Sequence, residues 1–68
     1  MTYDFEIAKA SGNDKHVRVT KVVSRTAGVL SYVGSVDYDA DHNLNFDQRF
    51  TTKAAAMRWF RTWSKLAA

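Results

Sequence analysis

The last twenty residues, RFTTKAAAMRWFRTWSKLAA, set Ala56, Trp59, Phe60, Trp63 and Ala67 three or four positions apart. At about 100° per residue these positions fall on one stripe of a helix, flanked by Leu66. Arg58, Arg61 and Lys65 fall together on the opposite side. This stripe constrains the fold because the chain has few other means of building a core. It holds 68 residues and no cysteine, so no disulfide or thiolate zinc site is available. A chain this short buries only about 60% of the surface its unfolded form exposes. Below roughly 70–80 residues a fold usually needs a disulfide, a metal, oligomerisation or unusually good packing. Two Trp, three Tyr and four Phe offer a substitute, since each ring can bury about 150–250 Å². A homodimer is the other route. The aromatic stripe is therefore read as core, and Thr51 or Thr52 as the helix cap.

Upstream the pattern changes from a period near 3.6 to a period of two. TYDFEIAKA alternates Tyr3, Phe5 and Ile7 against Asp4, Glu6 and Ala8, as a half-buried strand does. SGND (Ser11 to Asp14) supplies turn chemistry, with Gly12 and Asn13 both tolerant of positive φ. KHVRVTKVVSR is a second strand, β-branched and basic, with Val17 and Val19 on one side and His16, Arg18 and Thr20 on the other. The alternation slips at TKVV, which predicts a bulge or twist there. Ala27-Gly28 makes the next turn. VLSYVGSVDY is a third strand whose Gly34 marks a bend or a close contact. After the polar DADHN, the segment LNFDQRF places Leu44, Phe46 and Phe50 on one face. The expected fold is α+β: a single domain over 1–68, a ββββα meander of three to four antiparallel strands with one C-terminal helix packed across a face.

Charge is arranged in blocks. Residues 1–14 hold Lys9 against Asp4, Glu6 and Asp14, a net −2. Residues 15–36 hold Lys15, Arg18, Lys21 and Arg25 with no acid, a net +4. Residues 37–47 hold Asp37, Asp39, Asp41 and Asp47 with no Lys or Arg, a net −4. Residues 48–68 hold Arg49, Lys53, Arg58, Arg61 and Lys65, a net +5. The chain total is +3. Such blocks create local fields, and a basic stripe attracts polyanions. No apolar run approaches the roughly 20 residues of a membrane span. MTYDFEI also lacks the basic start and apolar stretch of a signal peptide. A cytoplasmic protein that does not engage a membrane is the expectation.

Three stretches resemble chemical motifs in part. DYDADHNLNFDQ alternates Asp37, Asp39, Asp41, Asn43 and Asn45 like the start of a calcium loop. His42 stands where the turn glycine belongs and Gln48 where the bidentate glutamate belongs, so a hydrated hairpin connection fits better. His16 and His42 are the only histidines, and no nucleophile with a partnering base accompanies them. The three glycines, at 12, 28 and 34, form no phosphate loop. No enzyme, cofactor or metal site is expected.

Phe50, Thr52, Lys53, Ala56 and Trp59 fit the spacing F-x-T-K-x-x-A-x-x-W. This resembles the junction between the last strand and the C-terminal helix in the arm-type DNA-binding domains of tyrosine-recombinase integrases. Those are small antiparallel sheets backed by one helix, and the family lays its sheet in the DNA major groove. The resemblance covers about ten residues, and no recombinase catalytic domain is expected to accompany them. It implies a non-catalytic module that binds duplex DNA through the outward sheet side chains, chiefly Arg18, Lys21, Arg25 and Arg49. Lys15 and His16 extend that surface, and Arg58, Arg61 and Lys65 on the helix are secondary to it. Sheet-plus-helix miniatures also occur among small phage-encoded inhibitors, some anti-CRISPR proteins included. The alternative is thus a protein-binding inhibitor or regulator that meets an acidic protein surface, as a monomer or a homodimer.

Overall fold

Asn13 and Asp14 both adopt positive φ, 48° and 62°. Two such residues in succession make the tight turn whose twist matches that of flanking antiparallel strands. The hairpin they close joins β1 (Thr2–Gly12) to β2 (Lys15–Ser24), with Gly12 opposite Lys15. The computed structural model describes residues 2–39 and 45–67. Within them β3 (Gly28–Tyr38), β4 (Phe46–Phe50) and α1 (Lys53–Ala67) complete the order. The strands form one antiparallel sheet in the order β1-β2-β3-β4, and α1 packs across one face. This is the expected ββββα meander. Gly12, at φ 154°, and Asn13 both take positive φ, as expected, and Asp14 joins them. Leu44 lies outside the described residues.

Cross-strand partners share a face, so the register assigns each paired strand residue to the helix side or the open side. Val17 pairs with Val36, and Val19 with Gly34 and Ala8. These positions lie beneath the helix. Val17, Val19, Val36, Ala56 and Ala67 are all 0% exposed, so valines and alanines form the dry centre. The larger rings surround it, half-buried: Tyr38, Trp59, Phe60 and Trp63 pack against this cluster. Trp59 lies against Phe50, with centroids 5.8 Å apart, and Trp63 meets Phe46 edge-on at 5.2 Å. The aromatic stripe is core, as its spacing predicts. Leu66, its flank, stays 54% exposed.

Of the bend or close contact expected at Gly34, the structure has the contact. A Cβ at this position would lie 2.7 Å from Cε3 and Cη2 of Trp59, closer than carbon atoms approach. The missing side chain is what lets the indole lie flat on β3. At its start α1 is capped by Thr52, whose Oγ1 accepts the Ala55 N–H at 3.2 Å. At its end the Asn13 side-chain amide donates to the Leu66 carbonyl at 3.2 Å. That bond ties the helix terminus to the first hairpin.

Two irregularities shape the sheet. The expected slip near TKVV is present between Val22 and Val23, but the extra residue is Leu30 of β3: Val22 pairs with Ser31 and Val23 with Val29. The second falls in β1, between Glu6 and Ala8. It corrects the simple alternation of Tyr3, Phe5 and Ile7. Ile7 is the unpaired bulge residue, and Ala8 and Ala10 join Tyr3 and Phe5 on the helix side.

Helix and sheet differ in length. Fifteen helical residues span about 22 Å, whereas the 11 residues of β1 or β3 span about 36 Å. The helix runs from the level of Phe50 back to the first hairpin. It therefore covers the end of the sheet near that hairpin and leaves the other end bare. The molecule is correspondingly long, 39 × 22 × 14 Å.

Candidate nucleic-acid interface

Strand alternation separates the cations of β2. Lys15 and Lys21 share the helix side with Val17 and Val19, while His16 and Arg18 point to the open side. The Lys21 ammonium lies 5.9 Å from the Phe5 ring centre, and that of Lys15 lies 5.6 Å from the Tyr38 ring. Arg25 sits in the turn between β2 and β3. Arg49 on β4 pairs with Val33 and so joins the open face, one row from Arg18. The flat array of Arg18, Lys21, Arg25 and Arg49 on one sheet face is thus not formed. The reason is the period of two: Lys21 is an odd-numbered neighbour of two buried valines.

The open face is also electrically mixed. Its rows run Ser11–His16–Asp37, Lys9–Arg18–Ser35–Asp47, Glu6–Thr20–Val33–Arg49 and Asp4–Val22–Ser31. Four carboxylates therefore stand among three Lys or Arg side chains. Arg18 Nη2 lies 3.5 Å from Asp37 Oδ2, and His16 Nε2 lies 2.7 Å from Asp39 Oδ1. Antiparallel pairing explains this directly. The basic start of β2 lies beside the acidic end of β3, so block +4 is partly matched by block −4. That neutralisation was readable from the charge blocks once a β2–β3 hairpin was assumed.

The outer face of α1 differs. Arg58, Arg61 and Lys65 are exposed, project opposite the Trp59–Trp63 stripe and span about 10 Å along the axis. No Asp or Glu occurs anywhere from 48 to 68. Among the described residues the ion pairs are those of His16 and Arg18, and none involves these three cations. Lys65 in the last turn is also favourably placed against the negative end of the helix dipole.

Among the described residues no pocket opens and no group of three or more His, Asp or Glu gathers at metal-binding distance. Asp37 and Asp39 of the calcium-like stretch are held by Arg18 and His16, and residues 40–44, His42 among them, lie outside the described residues. No described helix is long and apolar enough to cross a membrane. No protein-family model, curated protein or solved structure matches this chain. The likeness to the arm-type integrase domains accordingly rests on the residues from Phe50 to Trp59 alone.

Proposed function

We propose that this protein is a non-catalytic module that binds duplex DNA through its phosphates, with the outer face of α1 as the principal contact. One observation carries the reading: three exposed cations on one helix face, with no carboxylate on that helix. The sheet cations are secondary, because Arg18 already has Asp37 as partner and Lys21 lies on the other face. Arg58 and Arg61 suit the task, since a guanidinium fork can hold two phosphate oxygens at once. A helix also fits the width of the major groove, about 12 Å.

The test is salt-dependent binding to a duplex of mixed sequence. Each phosphate neutralised contributes a slope near −0.9 in log K against log salt, so three contacts give about −2.7. Arg58→Ala with Lys65→Ala should weaken binding at least tenfold and bring the slope towards about −0.9. Arg18→Ala with Arg25→Ala should do less, with circular dichroism verifying both folds. The reverse ranking would move the site to the sheet, as in the integrase-type arrangement. No binding at about 50 mM salt, where phosphate contacts are strong, would leave the protein-binding inhibitor in front.

A further inference from the structure

The bare end of the sheet carries large apolar side chains. Tyr3 and Phe5 lie on its helix side, 38% and 52% exposed, and Val29 shares that face at 50%. The adjoining edge is β1, 11 residues long and without proline. The other edge, β4, has five residues, with Asp47 and Arg49 on its open side. Short charged edges discourage further pairing, and long ones invite it.

Beta-one is also complementary to itself. On its open side Asp4 and Glu6 precede the bulge and Lys9 follows it. On its helix side the large Tyr3 and Phe5 precede the bulge, and the small Ala10 and Gly12 follow it. Two such strands run antiparallel about a two-fold axis between Ile7 and Ala8 set Glu6 opposite Lys9, Phe5 opposite Ala10 and Tyr3 opposite Gly12. Every pair occurs twice, as an isologous contact requires. The bulge makes this register consistent, because it puts residues 6 and 9, and residues 5 and 10, on matching faces.

We infer that the occupant of the β1 edge is a second copy of this chain, joined through the Glu6–Lys9 register into an eight-stranded sheet. Both helices then lie on the same face. The Tyr3 and Phe5 rings of each copy come to rest beside the end of β1 that the other copy's helix covers. The contact hides apolar surface that one helix is too short to reach, in a domain with little stability to spare. Opposite charges directly across a strand pair stabilise it and like charges oppose it.

Charge reversal tests both the contact and its register. Sedimentation of the whole chain, followed from about 1 to 300 µM, should show a concentration-dependent dimer. Glu6→Lys faces two lysines with two others and should weaken the dimer at least tenfold, as should Lys9→Glu. The double reversal, Glu6→Lys with Lys9→Glu, should restore it. Circular dichroism checks each fold, and amide exchange along β1 should slow as wild-type concentration rises. A monomer at every concentration overturns the inference. So does a dimer indifferent to the single reversals, or one that the double reversal fails to restore.

Discussion

The two ends of this sheet are built from the same strands and similar residues, yet only one end is dry. Near the first hairpin Val17, Val19 and Val36 are 0% exposed, beneath a helix whose Trp59 rests on Gly34. At the other end Phe5, Val29 and Leu30 are each at least half exposed. Neither β-propensity nor hydrophobicity separates them. The difference is the reach of α1, which ends some 14 Å short of the strands by the lengths above. Burial here is decided by what lies above a residue. The strand sequence alone does not decide it, and the contrast can be broken experimentally.

The largest effect belongs to the covered end. Trp59→Ala removes the ring that joins Phe50, Trp63 and Gly34, and should cost on the order of 3–5 kcal/mol in urea unfolding. A domain this small has about that much to lose, so the variant should be largely unfolded near room temperature. A cost below about 1 kcal/mol would mean the helix is only loosely held.

Gly34→Ala approaches the same contact from below. The added methyl must push against the indole, a large ring that also packs against Phe50 and Trp63. Overpacking of this kind typically costs about 1–3 kcal/mol. Thermal unfolding should show a lowered midpoint with the same helical content. An unchanged midpoint would show that Trp59 can lift off β3 freely, and the distinction between the two ends would narrow.

Much of this was legible in the residues. The stripe from Ala56 to Ala67, a cap at Thr51 or Thr52 and a bend or close contact at Gly34 each follow from local spacing or residue type; the structure chooses Thr52 and the contact. What was hidden depends on pairing. The bulge at Ile7 cannot be read from TYDFEIAKA, because Ala8 and Ala10 are too small to declare a side. Only their register with Val19 and Val17 places them under the helix. The candidate site was partly legible for the same reason. Helical phase alone gathers Arg58, Arg61 and Lys65. For the sheet, the rule that separates Val17 and Val19 from Arg18 also sends Lys21 to the helix side.

The smallest expected effect is the most discriminating. Phe5 is about half exposed, so in the isolated chain its ring gains only part of the 1.5–3 kcal/mol that full burial brings. Phe5→Ala should therefore cost about 1 kcal/mol or less at protein concentrations low enough to keep the chain monomeric. A cost comparable to that of Trp59→Ala would show the bare end to be as tightly packed as the covered one. Raising the concentration then adds information. If a second β1 covers this ring, association stabilises the wild type more than the variant, because a partner that binds only the folded state raises its stability by mass action. The gap between their thermal midpoints should widen with concentration. A gap constant from dilute to concentrated solution means that nothing covers Phe5, and the apolar end stands in water.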